Sequence, residues 1–355
     1  MSSVLPTLTT GTKEVDPAHA LDESTLEGFL RREVAEFEGP LTVRQFRGGQ
    51  SNPTYELSSP QGRWVLRRKP PGPLVRGAHA VDREYRVLSA LAQVDFPSPR
   101  PRVLCADESV IGSMFYVMDA VDGRIVPDLL LPDFEPEERR AIYQSLIGIL
   151  AQLHQVDYQA IGLGDYGRPG NYFERQIRTW TKQIRASGFE EVPEVERLIE
   201  WLPKNIPCEP STSISHGDYG LNNMLIHPSE PRIAAVLDWE LSTIGHPLAD
   251  LTYQLSLRVS PDSNFQGLGD DDLRVRGIPT QDEFVEIYCK HTGREGVEAL
   301  DFYLAFHLFR NAAIMQGIAG RVKAGTAAGE GAAELGERVR PLARRGLEYA
   351  SKLGA

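Results

Sequence analysis

The chain has 355 residues, of which 41% are hydrophobic and 25% charged, and its formal net charge at pH 7 is −11. That length suffices for two lobes with cores of their own, whereas the acidic balance argues against sequence-independent binding to nucleic acid or to an anionic membrane surface, both of which need a basic face. The sequence predicts a cytoplasmic protein with reduced thiols, because its three cysteines are scattered and it lacks a signal-peptide pattern. No apolar run approaches the ~18 residues of a membrane helix.

The first third of the chain predicts a leader followed by a small lobe of strands and one helix. Residues 1–24 are expected to form the leader, and the helical spacing of apolar residues over 22–36 predicts a first amphipathic helix. The stretch LTVRQFRGGQSNPTYELSSPQGRWVLRRKPP indicates strand, Gly-rich loop, strand, turn and strand. A helix is predicted over 79–93, and RPRVLCADESVIGSMFYVMDAVDG supplies two further strands. We therefore place the N-terminal lobe at 25–121.

The remainder, 122–355, predicts a larger and mainly helical lobe. Helical periodicity predicts the following helices: 137–155, 171–186, 190–202, 280–292 and 298–320. Two segments, 267–277 and 325–337, are expected to be surface loops or turns. The exceptions are SISHGD, NMLIH and AAVLDW, which indicate short strands beside a loop. The whole pattern predicts an α+β fold of two lobes, with a ligand bound in the cleft between them.

A cluster of polar residues lies in the segment SHGDYGLNNMLIHPSEPRIAAVLDWELSTIGHPLADL, residues 215–251. Asp218 and Asn223 are five positions apart, and Asp238 follows a short apolar run that would fix it at the end of a strand. The two apolar runs, one in NMLIH and one in AAVLDW, would pair as a hairpin and bring Asp238 beside Asn223. An amide oxygen and a carboxylate oxygen are ligands that Mg²⁺ accepts, with water and substrate phosphates completing its shell.

Asp218 would then be a free carboxylate beside the metal pair. Such a group can orient, or take a proton from, a substrate hydroxyl that attacks a phosphoryl group. An aspartate on its own is more often a turn or cap residue. The combination at this spacing, after the predicted N-terminal lobe, favours catalysis.

The motifs HGDYGLNN and VLDWELSTIGHPLADL closely resemble those of the aminoglycoside phosphotransferase and choline kinase-like family, and the resemblance extends from about residue 25 to 350. It implies a bilobal protein-kinase-like fold, ATP and Mg²⁺ as cofactors, and transfer of the γ-phosphoryl group to a small molecule. Residue by residue, it implies that Asp218 is the catalytic base and that Asn223 and Asp238 are the magnesium ligands. His216 and Asp250 match positions that support the catalytic loop.

The N-terminal lobe should supply the backbone contacts to the nucleotide. Gly48, Gly49 and Ser51 lie between two predicted strands and could present backbone amides to phosphates, although their pattern is not GxGxxG. The resemblance also identifies a hinge whose backbone would bind adenine. The hinge residues are Met118, Asp119, Ala120 and Val121.

A basic side chain should hold the α- and β-phosphates from the third strand. The kinase pattern V-A-I-K, aligned with WVLR, places Arg67 where a lysine is usual. Period-two alternation puts Lys69 on the same face, so either residue could serve. An arginine can pair with a carboxylate or phosphate through two nitrogens, so the exchange does not imply inactivity. Glu84 is expected to be the ion-pair partner.

Three further residues match family positions outside this core set. His154 is expected to be a buried histidine of the helical lobe, and His246 a turn residue where relatives carry aspartate. Arg310 lies one turn from His307 on a late helix and could contact an anionic group of the substrate.

The identity of the phosphoryl acceptor stays open at this point. The N-terminal lobe is most similar to kinase-like domains joined to acyl-CoA dehydrogenases, which implies a hydroxyl on an acyl or acyl-CoA-like substrate. An aminoglycoside-like acceptor would need an acidic cleft, with which the net charge is compatible. Two other functions stay open: a nucleotide-binding regulatory module with weak turnover, and a metal-dependent phosphohydrolase that uses the same carboxylates. GTP in place of ATP and the oligomeric state are open too.

Overall fold

The computed structural model describes residues 11–47, 52–70, 80–323 and 332–354. Its first part contains β1 (Thr12–Lys13), α1 (Glu23–Glu33), β2 (Thr42–Phe46), β3 (Thr54–Ser59), β4 (Gly62–Arg68), α2 (Val81–Leu91), β5 (Pro101–Cys105) and β6 (Phe115–Asp119). The helices predicted over 22–36 and 79–93 are confirmed, as are the predicted strands. The short strand β1 lies in the expected leader and was not predicted.

Strands β1 to β6 form one antiparallel sheet in the order β1-β2-β3-β4-β6-β5. Successive side chains of a strand point to opposite faces, so Leu66 of β4 lies in a core with α1, while Arg67 faces α2. Helix α1 covers the first face because Leu26, Phe29 and Leu30 share one side of it. The two faces of β4 therefore differ: Trp64 and Leu66 pack in the core with α1, and on the other face Arg67 is a buried cation that pairs with Glu84.

The second part is mainly helical. Its elements are α3 (Pro136–Gln155), α4 (Tyr172–Ala186), α5 (Pro193–Trp201), β7 (Ser213–Ser215), β8 (Met224–Ile226), β9 (Ile233–Val236), β10 (Thr243–Gly245), α6 (Pro247–Val259), α7 (Asp270–Val275), α8 (Gln281–Thr292), α9 (Leu300–Lys323), α10 (Ala332–Glu337) and α11 (Val339–Ser351). Each helix predicted for this part of the chain is present. The α+β fold predicted from the sequence is confirmed.

The loop predicted over 267–277 is wrong in part, because its centre forms α7. Three aspartates occupy the first turn of this helix, where the partial positive charge of a helix N-terminus stabilises them. The carboxylate of Asp272 also accepts a hydrogen bond from the backbone N–H of Gly269 at 2.9 Å. Part of the second expected loop, 325–337, forms α10.

The two parts of the fold share a hydrophobic core. A continuous cluster of buried residues runs from Leu88 and Leu91 of α2 into the helical part. Phe96, which follows α2, meets Trp239 of the polar segment edge to face, with 5.7 Å between ring centroids. Helix α2 is therefore packed against the polar segment as well as against the sheet. In the described residues, no helix combines the length and apolar character needed to cross a membrane.

Two small antiparallel pairs frame the polar segment. Strand β7 pairs with β10, and β8 pairs with β9. The loop that joins β7 to β8 spans 216–223, and the residues after β9 include Asp238. The strands thus bring both ends of the predicted cluster to one place.

Candidate active site

A buried carboxylate holds the loop between β7 and β8. Asp250, in the first turn of α6, is 1% exposed and accepts hydrogen bonds from the backbone N–H groups of His216 at 2.6 Å and Gly217 at 2.9 Å. The ring of His216 packs on Trp239, with 4.8 Å between centroids, and its Nε2 lies 2.8 Å from the carbonyl oxygen of Leu237. Asp250 thus holds the backbone of the loop, and His216 joins the loop to the residues after β9, in agreement with the supporting roles implied by the resemblance.

Two other histidines are structural. His154 lies under the loop, with Nε2 3.6 Å from Asp250 and Nδ1 2.8 Å from the hydroxyl of Tyr288. Burial raises the pKa of Asp250, but hydrogen bonds and nearby histidine charge outweigh burial, so the pKa lies below its usual value. His246 caps α6 by accepting a hydrogen bond from the N–H of Leu248 at 3.2 Å, and burial lowers its pKa to about 4.

Both carboxylate oxygens of Asp218 accept hydrogen bonds. The hydroxyl of Tyr253 donates to Oδ1, and Nδ2 of Asn223 donates to Oδ2 at 2.8 Å. Burial, followed by the charge of Asp218, raises the pKa of Tyr253, so the phenol is the proton donor. Asp218 is nevertheless partly exposed. Its carboxylate is therefore oriented by two donors while it still borders solvent.

The β8–β9 hairpin brings Asn223 and Asp238 together, as predicted. The N–H of Leu237, the neighbour of Asp238, donates to the carbonyl oxygen of Asn223 at 2.8 Å. Asn223 directs its amide nitrogen to Asp218, and within the described residues its Oδ1 forms no hydrogen bond. Asp238 adopts a left-handed backbone conformation with φ of 62°, and its side chain is 35% exposed.

Arg67 joins this segment to the sheet. Its Nη1 lies 3.1 Å from Glu84, and its Nη2 lies 2.8 Å from Oδ1 of Asp238 and 3.5 Å from Glu240. The Arg67 side chain is only 11% exposed. Burial lowers its pKa, but the charges of Glu84 and Asp238 outweigh burial, so its pKa is raised. The planar guanidinium therefore stays charged and holds α2 and the residues after β9 at once.

Glu84 is the most deeply buried acid of the network. Its side chain is 1% exposed and accepts hydrogen bonds from Asn52 Nδ2 at 3.2 Å and from the Tyr116 hydroxyl at 3.1 Å. Burial raises the pKa of Glu84 to about 7, against the opposing charge of Arg67. The ion pair expected between Arg67 and Glu84 is present.

Lys69, the alternative to Arg67, lies elsewhere. Its Nζ is 3.7 Å from Asp82, and both side chains are substantially exposed. Its backbone N–H bonds to the carbonyl of Met114 at 3.0 Å, beyond the end of β4. The structure therefore pairs Arg67, not Lys69, with Glu84. The predicted loop residues Gly48, Gly49 and Ser51 lie outside the described residues.

The predicted hinge lies at the end of β6 and just beyond it. Its members are Met118, Asp119, Ala120 and Val121. The Asp119 carboxylate pairs with Arg102, whose Nε lies 2.6 Å away, and the N–H of Ala120 donates to the carbonyl of Arg63 at 3.2 Å. Within the described residues, the N–H of Val121 has no hydrogen-bond partner. The backbone N–H of Val121, unlike that of Ala120, is thus free to bond to an adenine base.

Arg83 fastens α2 to the helical part. Its Nη2 donates to the carbonyl oxygens of Tyr166 at 2.9 Å and Ser242 at 3.4 Å, and its guanidinium carbon lies 4.1 Å from the Tyr166 ring centre. The hydroxyls of Tyr166 and Ser242 are 2.7 Å apart. Because Glu84 follows Arg83 directly, these contacts also fix the position of Glu84.

The donors present fit a magnesium ion that is held largely by substrate and water. The amide oxygen of Asn223 and Oδ2 of Asp238 are hard oxygen donors with no hydrogen bond to a described residue. Three carboxylates surround Arg67, which leaves an excess of negative charge near Asp238. In the described ranges, no group of three or more His, Cys, Asp or Glu residues could hold a metal by itself. Mg²⁺ does not need such a cage.

Sequence reasoning missed four residues that complete the network. Asn52 and Tyr116 contact Glu84, Tyr253 contacts Asp218, and Arg83 joins α2 to the helical part. Asn52 follows the Gly-rich stretch, and Tyr116 lies in a predicted strand, so each belongs to a segment that the sequence had marked. No pattern in the sequence marked Tyr253 or Arg83, whose contacts span 35 and 83 positions.

The comparisons with known proteins agree with this geometry. The model of the Phosphotransferase enzyme family matches residues 42–303. Acyl-CoA dehydrogenase family member 11 of Gallus gallus is 43% identical over 353 residues, covering 97% of this chain and 45% of that protein. The chain thus spans less than half the length of the curated relatives it matches, from 32% to 45% of them.

Two solved structures extend the comparison. A Ralstonia eutropha JMP134 protein assigned to the aminoglycoside phosphotransferases has a TM-score of 0.86 and 48% identity, covering 94% of this chain and 99% of that one. A thermostable mutant of aminoglycoside phosphotransferase APH(4)-Ia, in complex with AMP-PNP and hygromycin B, has a TM-score of 0.59 and 15% identity, over 91% and 99% of the chains, and shares the fold. The chain belongs to the Phosphotransferase enzyme family, with the aminoglycoside phosphotransferase and choline kinase-like fold.

Proposed function

We propose that this protein transfers the γ-phosphoryl group of Mg-ATP to a hydroxyl of a small molecule. The observation that supports this most is the convergence of Asp218, Asn223 and Asp238 with the buried Arg67–Glu84 pair. A base, two oxygen donors for a cation and a cation for phosphate are the parts that phosphoryl transfer needs. A protein of the same fold binds AMP-PNP and hygromycin B together, which supports a site for a nucleotide and a small acceptor.

Asp218 would act on the acceptor hydroxyl. The acceptor oxygen forms a bond to the γ-phosphorus while the bond from that phosphorus to the β–γ bridging oxygen breaks. ADP leaves with the electron pair of the broken bond, and the proton of the acceptor hydroxyl passes to Asp218. Tyr253 and Asn223 hold the Asp218 carboxylate in one orientation. The carboxylate would therefore need little reorientation before it accepts the proton.

Asn223 and Asp238 would hold magnesium, which when bound neutralises negative charge on the phosphates. Arg67 engages only Oδ1 of Asp238, so Oδ2 remains for the cation. Arg67 would contact the phosphates while Glu84 keeps the guanidinium in place. The stretch with Gly48, Gly49 and Ser51 would donate backbone N–H groups to the phosphates, and the hinge 118–121 would bind the adenine base.

The acceptor we propose is a hydroxylated acyl or acyl-CoA-like metabolite. The relatives that match nearly all of this chain are named acyl-CoA dehydrogenase family members, and the matched part is less than half of them. A phosphotransferase joined to an acyl-CoA-processing domain would act on a related acyl compound. An aminoglycoside-like acceptor is the second candidate, because the R. eutropha protein is assigned to that class.

Thermal unfolding with ATP, in the presence and absence of Mg²⁺, tests the nucleotide site. A ligand that binds only the folded state at 100 times its Kd stabilises it by about 2.7 kcal/mol, which corresponds to a few degrees in Tm. We expect a magnesium-dependent rise in the wild type that is lost in Asp238→Ala. Asp133→Ala, which removes an exposed aspartate outside the site, should behave as the wild type does.

Asp218→Asn separates the possible functions. A kinase should keep the magnesium-dependent ATP shift and lose ADP formation with a pool of hydroxylated acceptors. A regulatory module would keep the shift and form no ADP in either protein. A phosphohydrolase would release phosphate from substrates without ATP. Failure of every nucleotide to shift the wild-type Tm would refute the proposed function.

A further inference from the structure

A second arginine lies beside Asp218, on the helical side. Nη2 of Arg310, on α9, donates to the carbonyl oxygen of Gly217 at 2.9 Å. The guanidinium carbon lies 5.2 Å from the centre of the Tyr253 ring and 5.7 Å from that of Trp180. All of these residues are partly exposed, as is Asp218. Arg310 therefore contacts two aromatic rings at an accessible site and is hydrogen-bonded to the residue before the proposed base.

The charge of Arg310 is not balanced by a carboxylate. In the part of the chain that the structure describes, Arg310 forms no ion pair, whereas Arg67 has three carboxylate partners. Asp218 directs its oxygens to Tyr253 and Asn223 instead. Aromatic faces stabilise a guanidinium to a degree, but they do not use its N–H donors.

The unused donors of Arg310 point to a ligand with oxygen acceptors. Nε and Nη1 form no hydrogen bond with any described residue, and neither belongs to the buried polar atoms without partners, so both border solvent. The neighbouring His307 adds no charge, because burial, and then the charge of Arg310, lowers its pKa to about 3. Arg310 is thus a cation without a direct ion pair in the described residues, with the neutral His307 and two aromatic rings beside it. A guanidinium matches carboxylate and phosphate oxygens in pairs.

We propose that Arg310 binds a negatively charged group of the acceptor, a carboxylate or a phosphate, while the acceptor hydroxyl lies at Asp218. This inference rests on the proposed function and names its substrate class: hydroxylated anions. Tyr253 and Trp180 would line the space next to this group. The same charge disfavours polycationic acceptors of the aminoglycoside type, because a second cation near Arg310 would be repelled.

Matched pairs of probes test the assignment in the presence of Mg-AMP-PNP. The carboxylate pair is 3-hydroxybutanoate and its methyl ester, and the phosphate pair is glycerol 3-phosphate and glycerol. Binding is followed by ligand-observed NMR and by calorimetry on the whole chain, with Mg-AMP-PNP affinity measured in each sample. We expect the wild type to bind at least one anion about tenfold more tightly than its neutral partner. Arg310→Gln should lose that preference, and Arg310→Lys should retain part of it.

Arg178→Gln is the matched control, because it removes the same charge from an exposed position on the helix that carries Trp180. It should bind the probes as the wild type does. Three results would overturn the proposal: neutral probes bind as well as their anions, Arg310→Gln keeps the preference, or no anion binds a wild type that binds Mg-AMP-PNP. An equal loss of Mg-AMP-PNP and anion affinity in Arg310→Gln would also overturn it, because Arg310 would then only brace the loop. A wild type that fails to bind Mg-AMP-PNP would refute the proposed function, and this inference with it.

Discussion

Replacing Arg67 by methionine should reveal how the buried network is balanced. Among the described residues, Arg67 is the one ion-pair partner of Glu84, whose side chain is 1% exposed and cannot be solvated in place. Breaking a buried ion pair by removing one partner reduces the free energy of unfolding by about 3–5 kcal/mol. Asp238 contributes little to this loss, since its side chain is 35% exposed. We therefore expect a loss of about 3–5 kcal/mol at pH 8.

The loss should be smaller at lower pH, because Glu84 can take up a proton. Burial already raises its pKa in the folded wild type to about 7, above the value of ~4.3 in an unfolded chain. When folding raises the pKa of an acidic side chain, the free energy of unfolding falls as pH rises from the unfolded-state pKa to the folded-state pKa. Without Arg67 the pKa rises further, so the variant loses more stability than the wild type between pH 6 and 8. The difference between them should grow by about 1 kcal/mol over that range.

Urea unfolding at pH 6 and pH 8 measures both effects. The double variant Arg67→Met with Glu84→Gln should recover at least about 2 kcal/mol relative to Arg67→Met at pH 8, because no buried charge is left unpaired. Arg63→Met is the matched control on the same strand, where the ion pairs are exposed and are worth less than about 1 kcal/mol. If Arg67→Met behaves like Arg63→Met, or if the double variant is less stable than the single one, the reasoning is wrong.

Two further predictions concern single side chains. Tyr253→Phe removes a hydrogen bond to the Asp218 carboxylate, and phosphoryl transfer should fall about tenfold, since such a charge-assisted bond is worth ~1.5–3 kcal/mol. The ATP-induced shift in Tm should stay unchanged. An equal loss of phosphoryl transfer and of the Tm shift would contradict the positioning role. His307 is held neutral, because burial lowers its pKa to about 3. The contribution of neutral His307 to the free energy of unfolding is fully present above pH ~6.5. It is lost as pH falls below that value, by up to about 1.4 kcal/mol per pH unit. The loss of unfolding free energy between pH 6.5 and 5 should therefore be shallower in His307→Gln than in the wild type, whereas the exposed-site variant His291→Gln should leave the slope unchanged.

Local patterns in the sequence predicted the elements whose apolar residues repeat regularly. The periodicity over 137–155 corresponds to α3, and the alternation in TYEL and WVLRR corresponds to β3 and β4. Helix α6 was not predicted, although its residues are almost all buried. A helix that is buried on every side has no polar face, so its periodicity is weak. Helix α11 was missed as well, at the end of the chain.

The candidate site was predictable where its contacts are local in sequence. Asp218 and Asn223 belong to one loop, and the hairpin between Asn223 and Asp238 follows from two apolar runs at a short distance. Choosing between Arg67 and Lys69 required the structure, because both residues share a strand parity and β4 ends at Arg68. The contact of Tyr253 with Asp218 joins a loop to a helix that periodicity did not predict. Such contacts depend on packing that no short window contains.

The geometry of the site accounts for Arg67 at the position where the pattern V-A-I-K has a lysine. Arg67 reaches Glu84 through Nη1 and Asp238 through Nη2, at 3.1 and 2.8 Å. A lysine ammonium is a single point of charge, whereas a guanidinium presents donors along a planar fork. One residue of β4 can thus contact both α2 and the segment after β9, which belong to different parts of the fold.

This arrangement would couple the two ligands that we propose. A cation held at Oδ2 of Asp238 would weaken the attraction of that carboxylate for Nη2 of Arg67 and so free Nη2, while Nη1 would remain on Glu84. The released donors would then be available to phosphate oxygens. Magnesium would thereby favour phosphate binding, and by linkage phosphate binding would favour magnesium to the same degree. An arginine whose Nη1 and Nη2 both contact carboxylates is therefore compatible with an active phosphotransferase, since the contact that Nη2 would lose to magnesium would be offset by one that it gains from the nucleotide.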